Sequence, residues 1–357
     1  MDLPVMPPLK PMLAKATHEI PDVAKGELAF EPKWDGFRCI VFRDGDEIEL
    51  GSRNERPFNR YFPDILDPLR ASLPDRCVVD GELIVRIDGE LDFDALGQRI
   101  HPADSRVRML AEQTPASFIA FDVLAAGDLD LTDEPFAVRR QLLETFGERF
   151  EPPVHLTPST TDPAVAAVWF DRFEGAGLDG LMAKPLDGVY VSDKRVQIKV
   201  KHQRTADCVV AGFRIHKSGD GVGSLILGLY DDVGDLRHVG VASSFRAVDR
   251  VALLEEIAPL REGALDDHPW SGWAEAAADP ATKMPGAVSR WNNQKDLSWL
   301  PLRIERVAEV RYEHATNGRF RGTTRLSRWR PDREPPSCSI DQLVQAEPIA
   351  LDEVLGA

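Results

Sequence analysis

At 357 residues the chain is too long for one compact core and implies two or three domains. A composition of 43% hydrophobic and 29% charged residues excludes wholesale disorder, and no eighteen-residue apolar run marks a transmembrane helix. The formal net charge of −16 does not advertise nucleic-acid binding, yet nine arginines crowd Arg303–Arg333 against four acids, Glu305, Glu309, Glu313 and Asp332.

The N-terminal stretch MDLPVMPPLKPML carries four prolines and no basic-then-apolar segment, so no export signal is expected. Leu28–Glu31 and Arg38–Arg43 read as strands, and Asp44-Gly45 turns the chain into a third at Glu47–Leu50. Tyr61–Leu73 has helical character interrupted by prolines. Cys77–Ile87 is a strand ending at Asp88-Gly89, and Ser117–Leu124 is an apolar, buried one. Phe136–Phe146 and Pro163–Phe173 are helices, followed by strands Leu181–Lys184 and Val196–Lys201. Beyond Gln203 come strands Asp207–Ile215, Ser224–Tyr230 and Leu236–Ala242, then a helix at Val248–Leu260 and an irregular stretch at Arg261–Gly286. Two more strands, Ala308–His314 and Thr323–Arg330, complete five strands with one helix among them, the pattern of a small oligonucleotide-binding (OB) barrel. The expected division is a mixed α/β (α+β) domain at 1–203 and an all-β OB-fold domain at 204–357, with Asp341–Ala357 as a terminal helix or frayed tail. Cys39, Cys77, Cys208 and Cys338 form no C-x-x-C pair, which fits a reducing cytoplasm.

The chemistry concentrates in an ordered series of short segments. Glu31-Pro-Lys33-Trp-Asp35-Gly36-Phe-Arg38 places a lysine at a strand end, a carboxylate two residues on and a glycine that permits a tight turn. Gly51-Ser-Arg53-Asn54 ends the next strand. Asp80-Gly81-Glu82 sets a carboxylate inside a strand, and Phe121 sits in an apolar one. Asp179-Gly-Leu-Met-Ala-Lys184 precedes Lys199 and Lys201, two lysines at strand spacing and therefore on one face. Arg330-Pro-Asp332-Arg333 falls in the basic cluster.

Taken together, from Met12 to about Cys338, this series resembles the covalent nucleotidyltransferases, specifically ATP-dependent DNA ligases, and among them the stand-alone actinobacterial ligase C group. The resemblance implies an adenylation domain followed by an OB domain, with ATP as the AMP donor and Mg2+ or Mn2+ as cofactor. It implies that Lys33 forms a lysyl–AMP bond, oriented by Asp35. Glu31 then reads the adenine amino group, Phe121 stacks on the base, and Glu82 serves ribose and metal. Lys199 and Lys201 meet the α-phosphate, while Arg38 and Arg53 approach the sugar and the DNA 5′-phosphate. A neutral lysine is the nucleophile, and neighbouring cations disfavour its charged form. Arg330, Asp332 and Arg333 orient pyrophosphate in the first step, and Arg319, Arg321, Arg325 and Arg328 supply phosphate contacts to DNA.

Two positions depart from the family pattern: Asp179 stands where Glu usually helps bind metal, and Arg333 where Lys is common. The implied partner is nicked or broken duplex DNA, handled by a cytoplasmic monomer in DNA repair alongside repair proteins, with no membrane involved. RNA ligases and RNA guanylyltransferases share the lysine chemistry. Glu31 and the segment Arg204–Gly212 favour the DNA enzyme over them, and the intact lysine set over a non-catalytic nucleic-acid-binding relative. Ser218–Ser224 contains a G-x-G but precedes a strand, so it reads as a hairpin loop.

Overall fold

The apolar Ser117–Leu124 run becomes an interior strand of a sheet, as a strand without alternation should. It lies within Ala116–Ala126, ten of whose eleven residues are buried. The computed structural model describes residues 1–272, 298–316, 318–343 and 347–356; the Arg261–Gly286 stretch lies outside the described residues from position 273. The chain divides into two units, Met1–Lys201 with Ala346–Ala357, and His202–Gln345.

In the first unit the elements run β1 (Leu13–Thr17), β2 (Leu28–Pro32), β3 (Phe37–Asp44), β4 (Glu47–Ser52), α1 (Leu66–Ser72), β5 (Arg76–Ile87), β6 (Glu90–Leu91), α2 (Phe93–Gln98) and α3 (Asp104–Gln113). They continue with β7 (Ala116–Ala126), β8 (Leu129–Asp130), α4 (Phe136–Gly147), β9 (Val154–Leu156), α5 (Pro163–Arg172), β10 (Leu181–Pro185) and β11 (Arg195–Val200). Two sheets form: β4-β3-β5-β7-β8, with β6 on β5 and β9 on β7, and β1-β11-β10-β2. The helix expected at Tyr61–Leu73 shrinks to a 3-10 turn, Pro63–Ile65, and α1, because Pro63 can only begin a helix. β1, α2 and α3 have no counterpart in the sequence reading.

The second unit holds β12 (Arg204–Ile215), β13 (Val222–Tyr230), β14 (Leu236–Ser243), α6 (Ala247–Ile257), β15 (Leu300–Pro301), β16 (Val307–Tyr312), β17 (Ala315–Thr316), β18 (Arg319–Phe320) and β19 (Arg325–Trp329). Its main sheet runs β14-β13-β12-β16-β19 with β15 on β12. The fully buried Thr324 joins the two ends: its N–H donates to Val241 O at 3.1 Å and its carbonyl accepts from Ser243 N at 3.1 Å. This closes the OB barrel and removes its free edge.

The C-terminal segment, expected with the barrel, packs instead in the first unit. Leu351 and Val354, on α7 (Leu351–Leu355), are fully buried in the cluster that contains Leu28, Phe30 and Trp169. Ile349 N–H donates to Gly175 O, and Arg86–Asp352 and Arg172–Glu353 ion pairs flank the helix. Burying those two apolar side chains contributes on the order of 3–6 kcal/mol, the physical reason the segment does not fray. Among the described residues no helix is long and apolar enough to cross a membrane.

Candidate active site

Lys33 follows directly on β2, and its backbone continues the strand's pairing. Its N–H donates to Gly180 O at 2.8 Å, and Asp179 N–H donates back to Lys33 O at 3.1 Å. That exchange sets Lys33 and Asp179 side by side although 146 residues separate them. Gly180 permits it twice over: its φ is +119°, and a Cβ there would lie 2.0 Å from Val200 O. The next residue, Trp34, anchors the loop, being buried with its Nε1 donating to Thr157 Oγ1 at 2.8 Å. Gly36 makes the bend into β3, and its role there is close approach. Its φ is not positive; a Cβ would meet Leu83 O at 2.2 Å, so glycine is needed for close approach.

A cavity of about 300 Å³ opens in the first unit beside this loop. Glu31, Lys33, Asp35, Arg38, Arg53, Glu82, Phe121 and Lys199 all line it. Lys201 and Asp179 join through charge: Asp179 Oδ2 lies 2.8 Å from Lys33 Nζ and 3.1 Å from Lys201 Nζ. Burial alone would raise the Asp179 carboxyl, but the two ammoniums overcome it and hold the group well below the usual carboxylate range. Asp179 is therefore a counterion to both lysines in this structure.

Glu82, opposite Arg38 in the β3–β5 register, is pushed up to about 7 by burial, against the pull of Arg38 and Lys33. A carboxylate penalised by desolvation in a cavity wall suits a hard divalent cation, which would restore its charge balance. Glu82 fits such a cation; Asp179, already bridging two lysines, fits it less directly. Among the described residues no three His, Cys, Asp or Glu side chains cluster as a ready metal site. Arg38 makes a bidentate pair with buried Asp80, at 2.6 and 2.5 Å, and its Cζ stands 4.5 Å over the Phe121 ring. Arg53 is exposed and also lines a second cavity of about 360 Å³ with Lys10 and Asn54.

The basic cluster of the second unit is tied to its own acids more than its sequence implied. Arg330 binds Asp207 at 2.9 Å and Asp332 at 2.7 Å, and its hydrogen bond holds Asp332 down to about 2. Arg333 donates to Ser337 O at 2.9 Å. Arg328 pairs with Glu309 at 2.8 Å, and Arg319 sits 2.9 Å from His238 Nδ1. Arg319 and Arg328, both expected to contact DNA, thus already hold partners within the barrel. Arg321 and Arg325 are exposed.

Sequence reasoning missed Lys184 and Arg140. Both are buried, and both meet Glu31: Lys184 Nζ at 2.6 Å and Arg140 Nη1 at 3.5 Å. Lys184 ends the quoted Asp179–Lys184 segment and could have been weighed there. Arg140 lies on α4, 109 residues from Glu31, with no local signal to connect the two.

Comparison with known proteins follows the same division. Residues 11–201 match the family described as ATP dependent DNA ligase domain, and residues 218–333 the ATP dependent DNA ligase C terminal region. DNA ligase C2 of Mycolicibacterium smegmatis is 58% identical over 345 residues, 96% of each chain. DNA ligase C of Mycobacterium tuberculosis is 56% identical over 360 residues, 99% of each chain. A solved structure from work on Lig E DNA ligases covers 89% of this chain and 99% of its own, with a TM-score of 0.55 and 18% identity, a likeness of fold alone.

Proposed function

The chain belongs to the ATP-dependent DNA ligase family, and we propose that Lys33 is the residue its reaction adenylates. The enzyme uses ATP to seal 5′-phosphate and 3′-hydroxyl breaks in duplex DNA. The observation that carries the assignment is convergence: a lysine, the carboxylates Glu31, Asp35 and Glu82, an aromatic ring and further cations, drawn from five strands and the intervening loops, surround one cavity.

In the first step the Lys33 Nζ lone pair forms a bond to the α-phosphorus of ATP. The bond from that phosphorus to the bridging oxygen breaks, pyrophosphate leaves with the electron pair, and Nζ gives up its proton. Asp179 holds the amine by accepting its N–H, and Lys199 and Lys201 meet the phosphate charge that builds up. Asp35 orients the lysine from two residues away. Glu31 accepts from the adenine amino group, Phe121 supports the ring, and Glu82 takes the ribose side. Glu82, with Asp179 as a second carboxylate nearby, would hold Mg2+ or Mn2+, which supplies positive charge against the phosphate. In the second step AMP passes from Lys33 to the DNA 5′-phosphate, with Arg38 and Arg53 on the sugar and phosphate. In the third the 3′-hydroxyl attacks that phosphate and AMP departs. Arg330, Asp332 and Arg333 act in the first step on pyrophosphate.

Short-patch repair leaves such a 5′-phosphate and 3′-hydroxyl break, so we place the enzyme in DNA repair, as a cytoplasmic monomer working at the nucleoid. Size-exclusion chromatography and the strand-break sensitivity of a strain lacking the gene test that setting. The central test is to incubate the purified chain with ATP and magnesium and to map the covalent adenylate by peptide mass. An adduct on Lys33 is expected; an adduct on any other lysine sinks the assignment.

A further inference from the structure

Glu31 is 2% exposed, and cations from two elements grip its carboxylate: Lys184 of β10 on Oε2 and, more loosely, Arg140 of α4 on Oε1. Strand register explains the closer grip. β10 runs antiparallel to β2 with Met182 opposite Glu31; Lys184, two residues on, faces the same side and reaches Glu31 along the diagonal. Met182 and Lys184 both line the cavity. Lys184 is itself 3% exposed, and its ammonium does a second thing. It donates to the Phe121 carbonyl at 2.8 Å and lies 4.8 Å from the Phe121 ring centroid and 4.6 Å from that of Phe136. A buried lysine held by a carboxylate, a carbonyl and two aromatic faces has little freedom to move.

We propose that Lys184 is the positioning residue for base selection: one ammonium fixes both the Glu31 carboxylate and the Phe121 backbone, so that the two grip the purine as a unit. The proposal rests on the reading of Glu31 and Phe121 as base contacts. A carboxylate only accepts hydrogen bonds, so it suits the 6-amino group of adenine and repels a carbonyl at that position. Without Lys184, Glu31 keeps only the 3.5 Å contact to Arg140, which is itself engaged by Glu144 at 2.7 Å. The carboxylate then turns toward α4, and discrimination at position 6 relaxes.

The test compares single-turnover adenylation of the full chain with ATP and with inosine triphosphate, which carries a carbonyl in place of the amino group. Lys184→Met should raise KM for ATP about tenfold or more, leave kcat at saturating ATP within about threefold, and cut the ATP preference at least tenfold. Lys184→Arg should recover most of that preference, because it restores charge and donors. Glu31→Gln should lose the preference too, and adding Lys184→Met to it should cost little more, since Lys184 acts through Glu31. Multiplying effects in the double variant, or a fall in kcat with an unchanged preference, overturns the proposal. An unchanged preference in Glu31→Gln overturns the underlying reading of Glu31 and the proposal with it. Should Lys184→Met fail to fold, Lys184→Gln keeps hydrogen-bond donors without charge. It should still lose the preference, and a folded Lys184→Gln that keeps it counts against us.

Discussion

The two concentrations of charge in this chain behave in opposite ways. Around Lys33 the charged side chains come from distant segments, are largely buried, and face a shared cavity whose wall fixes them. In the barrel the arginines lie close in sequence, and several are neutralised by acids beside them: Arg330 by Asp207 and Asp332, Arg328 by Glu309, and Arg303 by Glu305. A dense run of one charge in sequence therefore overstates what a surface can offer to a polyanion. Scattered charges that fold onto one cavity are understated by the same count.

The sharpest test of that contrast is at the cavity. Lys33→Ala should abolish the covalent adenylate, not merely slow it, while circular dichroism and melting show a folded chain. Next come Asp332→Ala and Arg333→Ala, which should depress adenylation roughly a hundredfold yet largely spare sealing of a pre-adenylated nick, about 3 kcal/mol of barrier in one step only. Equal loss in both steps would place the motif in a fixed part of the site.

A third prediction concerns the barrel's interior. Burial, helped by Arg319 and Arg214, pushes His238 down to about 4, from 6.5. The unfolded chain takes up this proton first, so stability is full above pH 6.5 and is lost as pH falls toward 4, by roughly 3 kcal/mol. Denaturant melts across that range should show the loss in the parent and a flatter profile in His238→Gln. The smallest effect separates Arg328, which Glu309 holds, from the exposed Arg325. Arg325→Ala should lower the log–log salt slope of nicked-DNA binding by about one unit, and Arg328→Ala by clearly less, because Glu309 already claims its charge. Equal slopes would mean that the Glu309 pair opens freely on DNA.

Much of the site was legible because its residues sit in short segments whose order is informative, from Glu31–Arg38 to Lys199 and Lys201. What the sequence hid was mostly long-range. Arg140 and Glu31 meet only through the packing of α4, and Asp179 became a lysine counterion only through the backbone exchange at Lys33 and Gly180. Of the fold, β7 was plain from its unbroken apolar run. β1 was not, because five residues with two exposed give neither alternation nor length. α2 did carry a start signal, Asp92, whose side chain accepts from Ala95 N, and that signal was overlooked. α3 buries only Val107 and Leu110, too thin a stripe to declare itself.

The return of residues 347–356 to the first unit carries a consequence for synthesis. The ribosome makes the whole barrel before it makes Leu351 and Val354, so the nucleotide-binding unit waits, with part of its core open, for a segment encoded more than a hundred residues downstream. The barrel is thereby an insertion within a domain, not a bead threaded after one. A nascent chain that stalls between the two would present a finished barrel on an unfinished partner, with the apolar seat beside Gly175 uncovered and open to chaperones or to another chain's tail.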